Sequence, residues 1–152
     1  MKELRVTPIK NGTVIDHITC GAAMQVLKII GVPDKKLNSP VSVLMHVQSK
    51  RAKWKDIVKV EDRELNPQEM NKIALVAPNA TINIIRNYKV VKKYSVELPD
   101  TIKGIVKCEN PNCISNQKEP VEPTFDVLQK NPPSLRCHYC ERKLENIFSN
   151  IL

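Results

Sequence analysis

Four of the five cysteines form two close pairs in the last third of the chain. Four residues separate Cys108 from Cys113, two separate Cys137 from Cys140, and 23 lie between the pairs. Two tight turns of this kind present four thiolates to one tetrahedral Zn²⁺, each at about 2.3 Å from the ion. Two disulfides or four free thiols are the alternatives that the spacing leaves open. We expect one structural zinc ion, because four sulfur ligands leave no position for a reactive water.

The rest of the sequence favours a metal over disulfides. Met1 to Arg5 lead into alternating sequence without an apolar signal segment, and no apolar run approaches the roughly 18 residues of a membrane span. We therefore expect a cytoplasmic protein without a membrane partner. In the reducing cytoplasm, paired cysteines bind metal more often than they form disulfides. Cys20 has no base near it in sequence, so we interpret it as a small packing residue, and His46 as a surface strand residue.

Positive charge is concentrated in the first two thirds of the chain, whose formal net charge is +8. Residues 1–100 carry 17 basic and 10 acidic side chains, a net of +7, whereas residues 101–152 carry 7 and 6, a net of +1. Four thiolates with one Zn²⁺ would add two negative charges to the second part. This distribution predicts a polyanionic partner for the first part, rather than a zinc module that grips nucleic acid.

The elements before residue 100 follow an α+β pattern. Asn11-Gly12 predicts a turn after a strand over residues 4–10. Thr19 is expected to cap a helix over residues 20–30, and Asn66 to start a second helix through a capping box with Glu69. Alternating or β-rich sequence predicts further strands over residues 13–18, 41–48, 54–61, 81–85 and 88–96. The order β-α-β-β-α-β with an additional strand predicts a ferredoxin-like domain.

Leu98-Pro-Asp100 is the predicted linker between two domains. The fold class is therefore α+β, with a ferredoxin-like domain over residues 1–98 and a small antiparallel β zinc-binding domain over residues 99–152. The second domain is short and would bury only a thin core, so that zinc would supply much of its folding free energy. The tail over residues 143–152 is compatible with a strand or a short helix.

No catalytic motif is visible, and we do not expect an enzyme. The chain lacks a Gly-rich phosphate loop, a G-x-S-x-G elbow and an H-E-x-x-H helix. Lys55 and Lys59 lie four apart on a predicted strand and project from one face, and Lys93 belongs to the last strand of the same sheet. Such ammonium groups would bind phosphates, and Asp16 would accept hydrogen bonds from ribose hydroxyls. The alternative is that these lysines are merely dispersed over a soluble surface. His17, adjacent to Asp16, would point to the opposite face of a regular strand.

Five segments and the cysteine spacing resemble the family of regulatory chains of aspartate carbamoyltransferase, in order and over nearly the whole chain. The segments are Gly12-Thr-Val-Ile-Asp-His-Ile18, Lys55-Asp-Ile-Val-Lys-Val-Glu61, Ala77-Pro-Asn-Ala-Thr-Ile-Asn83, Asn87-Tyr-Lys-Val-Val91 and Asn112-Cys-Ile-Ser115. The resemblance implies a non-catalytic regulatory subunit of pyrimidine biosynthesis. Its first domain would pair with a second copy and bind nucleoside triphosphates at one shared site, CTP and UTP inhibiting and ATP activating. Its zinc domain would dock onto the catalytic chain.

The resemblance also assigns nucleotide-binding positions. Asp16 and His17 match positions near the ribose and the phosphates, Lys59 and Lys93 match ribose- and phosphate-binding lysines, and Lys55 matches a lysine close to the triphosphate. The remaining matches concern the base and the strand beside it. Ile9 and Tyr88 match positions whose backbone groups read the base, and Val90 matches one that packs beside it. Asn83 and Ile85 match positions on the strand that follows those of Lys55 and Lys59 in the chain.

A zinc-ribbon nucleic-acid-binding protein is the alternative function. It accounts for the cysteine pairs and for the basic isoelectric point, and it predicts salt-sensitive binding to DNA or RNA. It also requires basic and aromatic residues clustered in the ribbon, where the charge is nearly balanced and the aromatic side chains include only Phe125, Tyr139 and Phe148. We therefore expect no nucleic-acid partner.

Overall fold

The computed structural model describes residues 8–31, 39–118 and 121–152, which form an α+β protein with two antiparallel sheets. The first sheet and its helices consist of β1 (Gly12–Thr19), α1 (Ala23–Ile29), β2 (Val41–Gln48), β3 (Trp54–Glu61), α2 (Pro67–Val76), β4 (Thr81–Arg86) and β5 (Lys89–Ser95). The second sheet consists of β6 (Thr101–Lys103), β7 (Thr124–Lys130) and β8 (Pro133–Cys137).

The five strands of the first sheet are ordered β2-β3-β1-β4-β5. The first four strands and the two helices give the connectivity of a ferredoxin-like fold, and β5 extends the sheet beyond β4. Asn87 and Tyr88 form the two-residue turn before β5, with φ of 51° and 65°, and two positive φ values suit the twist of a tight hairpin. The predicted ferredoxin-like domain with an additional strand is confirmed.

One face of this sheet packs on the helices and the other does not. Asp56, Val58 and Val60 of β3 are fully buried on the helix-covered side, whereas Lys55 and Lys59 alternate with them and are half-buried. The core also includes residues of both helices and of strands β1 and β4, among them Ile15, Val26, Ile73 and Ile82. Burying each such side chain contributes about 1.5–3 kcal/mol. The lysines are thereby presented on the opposite face, which we call the open face.

The two helices begin in different ways. As predicted, Asn66 Oδ1 accepts the backbone N–H of Glu69 at 2.8 Å, and Glu69 Oε1 accepts that of Asn66 at 3.2 Å. The prediction that Thr19 caps a helix over residues 20–30 is wrong, because α1 begins at Ala23 without a side-chain cap from its own first turn. The free N–H groups at this end are instead accepted by Asp56 of β3, a contact that local sequence cannot reveal.

The strand predicted over residues 4–10 is not observed where it can be checked. Residues 4–7 lie outside the described residues, and residues 8–10 are not in a strand. The backbone here makes isolated contacts instead: Lys10 O accepts the N–H of Tyr88 at 2.9 Å, and Asn11 O accepts that of Asp62 at 2.9 Å. Pro8 lacks an N–H, so it cannot donate to a strand ladder.

The second sheet has the order β6-β7-β8 and is accompanied by two 3₁₀ turns, Ile114–Asn116 and Phe148–Asn150. The tail after the second cysteine pair contains the latter turn and takes part in two isolated bridges, between Val106 and Ile151 and between Arg136 and Lys143. Asn131 Nδ2 donates to Asn79 Oδ1 at 2.8 Å and so connects the β7–β8 turn to the loop before β4. Within the described residues, neither helix has the length and apolarity needed to cross a membrane.

Candidate functional site

The four paired cysteines converge at one point next to the second sheet. Their sulfur atoms all lie within 4.8 Å of one another, and Cys108, Cys113 and Cys137 are buried. Two of the sulfur–sulfur distances join cysteines of different turns, at 3.7 Å between Cys108 and Cys140 and 3.6 Å between Cys113 and Cys137. These values exceed the roughly 2.05 Å of a disulfide bond. Four sulfurs at about 2.3 Å from one tetrahedral ion would be about 3.8 Å apart, so the cluster fits Zn²⁺.

The pKa values of the four thiols also indicate that a cation belongs at their centre. Burial raises the pKa of Cys108 to about 12 and also raises that of Cys137. Burial alone would raise the pKa of Cys113, but hydrogen bonds from Ser115 lower it to about 7. The pKa of Cys140 is lowered, because hydrogen bonds overcome the effect of its burial. Neighbouring thiolates repel one another, so a divalent cation is what allows all four to ionise.

Side chains around the first cysteine pair fix its geometry. Asn116 Nδ2 donates to the carbonyl of Cys108 at 2.9 Å and to that of Asn110 at 2.7 Å. Ser115 Oγ lies 3.2 Å from Cys113 Sγ. Glu109 Oε1 accepts the backbone N–H of Glu145 at 2.6 Å and thereby joins this turn to the C-terminal tail. Such contacts orient sulfur ligands before a metal binds.

The lysines assigned to phosphate binding lie in one row across the open face. Strand pairing places Lys59 beside Val14, Val14 beside Asn83, and Asn83 beside Lys93. Residues paired in this way project from the same face of an antiparallel sheet. The row therefore has an ammonium group on each side and an amide between them, a suitable arrangement for anionic oxygens.

A second group of assigned residues lies one step further along the same strands. Lys55 Nζ lies 2.9 Å from Asp16 Oδ1, with both side chains half-buried. His17 Nδ1 lies 3.0 Å from Thr81 Oγ1. The expectation that His17 points away from Asp16 is wrong, because β1 bulges between Ile15 and Ile18 and His17 has a φ of 56°. The bulge re-aims the imidazole relative to a regular strand.

The surroundings of this group lower the pKa of both Asp16 and His17, with different consequences for their protonation. Burial alone would raise the pKa of Asp16, but the hydrogen bond from Lys55 and the backbone N–H of His17 lower it. Burial lowers the pKa of His17, and the positive charges of Arg51, Lys55 and Lys93 add to this effect against the opposing charge of Asp16. Near pH 7 the carboxylate is therefore ionised and the imidazole is mostly neutral, in a positively charged environment.

The residues assigned to the base lie on the other side of this row from Asp16 and Lys55. Ile85 pairs with Gly12 on one side and with Val90 on the other, two positions from Asn83. Tyr88 occupies the adjoining turn with an exposed side chain, and its N–H is donated to the Lys10 carbonyl. Ile9 is buried just before that carbonyl. The assigned residues thus form an elongated strip on the open face, with apolar groups at one end and charged groups at the other.

A cavity of about 610 Å³ adjoins the charged end of the strip. Besides His17 and Lys55, its lining includes Arg51, Trp54 and Asn79, none of which the sequence assigned. Arg51 belongs to the basic turn over residues 49–53, a pattern that equally fits an exposed hairpin tip. Only the folded chain shows that this turn lines the cavity.

The interpretation of Cys20 as a small packing residue without a base requires a correction, whereas His46 is an exposed residue of β2, as expected. Their side chains meet in the structure, with Cys20 Sγ 3.2 Å from His46 Nδ1, and Cys20 is exposed rather than packed in the core. The contact joins residues 26 positions apart, so their spacing in sequence gives no sign of it.

Comparison with known proteins identifies both parts of the chain. Residues 4–97 match the family model described as aspartate carbamoyltransferase regulatory chain, allosteric domain. Residues 100–147 match the model described as aspartate carbamoyltransferase regulatory chain, metal binding domain. The metal-binding match and the cysteine geometry agree on one structural zinc ion.

Curated relatives carry the same description over almost their whole length. The aspartate carbamoyltransferase regulatory chain of Methanothrix thermoacetophila is 58% identical over 143 residues, which cover 94% of this chain and 92% of the relative. That of Pyrococcus furiosus is 55% identical over 145 residues, or 95% of each chain. That of Thermoplasma volcanium is 49% identical over 143 residues, with 94% and 93% covered.

Proposed function

The chain belongs to the family of aspartate carbamoyltransferase regulatory chains, and we propose that it controls its catalytic partner by binding nucleoside triphosphates. It is a regulatory, non-catalytic subunit. In this proposal residues 1–98 bind the effector and pair with a second copy, and residues 99–152 bind zinc and dock onto the catalytic chain. CTP and UTP inhibit and ATP activates, all at one site, so that carbamoyl transfer in cytoplasmic pyrimidine biosynthesis follows the nucleotide pool.

The charged strip on the open face is the observation that carries the effector assignment. Lys59 and Lys93 flank one row, and Lys55 and His17 lie near the next. Triphosphates carry several negative charges in line, and charge-assisted hydrogen bonds to them are about twice as strong as neutral ones. Side-chain cations thus replace the Gly-rich loop that the sequence lacks.

The remaining assigned residues would hold the nucleoside. Asp16, whose pKa is lowered by the hydrogen bond from Lys55, would accept hydrogen bonds from ribose hydroxyls. Because the N–H of Tyr88 is already donated to Lys10, its carbonyl is the backbone group left to meet a base. Ile85 and Val90 supply apolar surface beside it. Backbone acceptors distinguish an exocyclic amine from a carbonyl, which is the difference between the bases of CTP and UTP.

Zinc supports this function by holding the docking module together. The four cysteines, which we assign as its ligands, come from two turns that flank β7 and β8. The module is small, so that the free energy of metal binding, about 10–16 kcal/mol in comparable small sites, would contribute directly to its folding. Thiolate ligands fill the coordination shell, so the ion has a structural role.

Contacts between the two modules offer a route for regulation. Asn79 lines the cavity at the charged end and accepts a hydrogen bond from Asn131 of the β7–β8 turn. The ammonium group of Lys28 in α1 lies 5.4 Å from the centroid of Phe148 near the C-terminus. An effector shifts an equilibrium between two quaternary states only if it binds one state more tightly. In this proposal the contacts between the modules differ between the two states.

Aspartate saturation of the cognate catalytic chain tests the proposal. The zinc-loaded chain is mixed with the catalytic chain, and initial rates are measured with and without CTP, UTP or ATP. Lys93→Ala should weaken triphosphate binding by about tenfold or more, because a charged hydrogen bond is lost. Lys92→Ala is the matched control, since Lys92 pairs with Ile84 and projects from the other face.

Three outcomes would contradict the proposal: unchanged kinetics with every nucleotide, no complex with the catalytic chain, or equal effects of the two lysine variants. Fluorescence anisotropy with mixed oligonucleotides provides a check against the nucleic-acid function. Tight, salt-dependent binding there would favour the zinc-ribbon alternative.

A further inference from the structure

The pair formed by Cys20 and His46 lies outside both proposed sites. Cys20 Sγ is 3.2 Å from His46 Nδ1, and both residues are exposed. When the ring proton is on Nε2, Nδ1 accepts the hydrogen of the thiol. Nucleophilic thiols are activated by a base in this position. The pair therefore has the components of a reactive thiol.

Further contacts hold the imidazole in place. Its ring stacks on the indole of Trp54, with centroids 4.2 Å apart and an angle of 18° between the planes. His46 lies in a bulge of β2, between Leu44 and Val47, and has a φ of 59°. Non-glycine residues rarely adopt this left-handed conformation, and where they do they cluster at functional sites.

A buried carboxylate joins the segment that carries the thiol to the one that carries the base. Asp56 is fully buried and accepts three backbone N–H groups. Its Oδ2 accepts those of Gly21, directly after Cys20, and Ala23, at the start of α1, at 2.9 and 3.1 Å. Its Oδ1 accepts that of His46 at 2.8 Å. The backbone segments that carry the thiol and the imidazole are thus held next to each other by a buried residue of the core.

The thiol opens into the cavity of about 610 Å³ at the charged end of the strip. Cys20 and Trp54 line it together with Arg51, Lys55 and His17. Two permanent cations and one imidazole in the same cavity attract small anions. An anionic reagent would therefore be concentrated next to a thiol that has its base in contact.

We propose that Cys20 is a modification site that undergoes thiol–disulfide exchange with small anionic disulfides. The thiol proton passes to His46 Nδ1, and the thiolate attacks one sulfur of the disulfide. A bond forms between Cys20 Sγ and that sulfur, the original S–S bond breaks, and the other half leaves as a thiolate that takes up the proton. Cys20 is oxidised to a mixed disulfide, and one half of the reagent is reduced to a thiol.

The modification would also regulate the effector site, a consequence that rests on the proposed function. A mixed disulfide on Cys20 places an anionic group in the cavity that His17 and Lys55 line. That group competes with phosphate charges for the same cations. The modified chain is therefore expected to bind triphosphates more weakly, by about tenfold for one lost charge-assisted contact.

Exchange kinetics on the full-length, zinc-loaded chain test the proposal. The probes are DTNB, a disulfide with two carboxylates, and dithiodipyridine, which is uncharged at neutral pH; both release a coloured thiol. Cys20→Ser gives the background of the zinc cysteines, and mass spectrometry of peptides locates the adduct. His46→Asn removes the base but keeps a residue that tolerates the left-handed conformation.

The wild-type chain should form an adduct on Cys20, at a rate about tenfold above that of His46→Asn at pH 7, because the imidazole in contact with Sγ takes up the thiol proton during the attack. Arg51→Gln should slow the reaction with DTNB but not with dithiodipyridine. Lys53→Gln is the matched control, an exposed cation of the same turn outside the cavity lining. Equal rates in wild type and His46→Asn would overturn the proposal, and so would the absence of an adduct on Cys20.

A separate measurement distinguishes this proposal from the proposed function. Triphosphate affinity is determined for the unmodified chain and for the chain with the Cys20 adduct. If the unmodified chain binds no triphosphate, the proposed function fails while the exchange kinetics stand. If it binds and the adduct leaves the affinity unchanged, the regulatory consequence of the modification is wrong.

Discussion

His17 should take up a proton when a nucleoside triphosphate binds. In the free chain, burial and the charges of Arg51, Lys55 and Lys93 lower its pKa, against the charge of Asp16, so the imidazole is mostly neutral at pH 7. Bound phosphates favour the imidazolium form and raise its pKa. Binding is then linked to protonation, and triphosphate affinity should rise as the pH falls through the interval between the lowered free pKa and the raised bound pKa.

The size of the effect follows from the distances in the strip. His17 Nδ1 lies 4.0 Å from the carboxylate of Asp16, and we take about 5 Å, a slightly larger separation, for the distance between the ring and a phosphate bound in the strip. One negative charge at about 5 Å, with an effective dielectric constant of about 40, contributes about 1.7 kcal/mol, or slightly more than one pKa unit. The affinity should therefore increase by up to about tenfold between pH 8 and pH 6.

Isothermal titration calorimetry measures the proton directly. The observed binding enthalpy at pH 7 is plotted against the ionisation enthalpy of several buffers, and the slope gives the number of protons taken up. His17→Asn is the control, because asparagine tolerates the positive φ of this position and leaves only the protonation of the nucleotide itself. A slope in the wild type no larger than in His17→Asn would refute the reasoning.

Three other changes test the fold. Cys113→Ser should abolish stoichiometric zinc in atomic absorption and unfold the second sheet, since one of four clustered ligands is lost; a zinc-replete variant would argue against the cluster. Asp56→Asn should lower the free energy of unfolding in urea by about 2–4 kcal/mol, because one carboxylate oxygen that accepts buried N–H groups is replaced by a donor. Asp62→Asn, at an exposed position, should change it by less than about 0.5 kcal/mol, and equal losses would contradict this account. Gly12→Ala should lower the free energy of unfolding by more than about 2 kcal/mol, because its Cβ would lie 2.1 Å from a strand carbonyl. In Gly21→Ala the Cβ meets nothing within 4 Å, and the loss should be about 1 kcal/mol for the positive φ. The reverse order in urea denaturation would be incompatible with the packing at Gly12.

Features encoded by neighbouring residues were predictable from the sequence. The capping box of α2 needs only Asn66 and Glu69 at the right spacing. The alternation of Lys55 and Lys59 with buried apolar residues follows from the two-residue period of a strand. The spacing of the cysteines predicts a metal cluster because each pair is closed by its own turn. Hydrophobic periodicity in these segments also gave the order of the strands and helices.

Features that depend on tertiary contacts were missed. The start of α1 is fixed by Asp56, a residue 33 positions after Ala23, so the nearby Thr19 was a misleading signal. The bulges that re-aim His17 and His46 leave no mark in the pattern of apolar residues. The contact between Cys20 and His46 depends on both, which is why a thiol without a base in sequence has one in the structure.

Native mass spectrometry of the chain mixed with its cognate catalytic chain tests the central claim most directly. The account predicts a complex in which each regulatory chain carries one zinc ion, read from the mass, and to which CTP or ATP adds further mass. The Cys113→Ser chain, without zinc, should not appear in the complex. A zinc-loaded wild-type chain that stays separate from the catalytic chain would contradict the assignment of the second module as the docking domain.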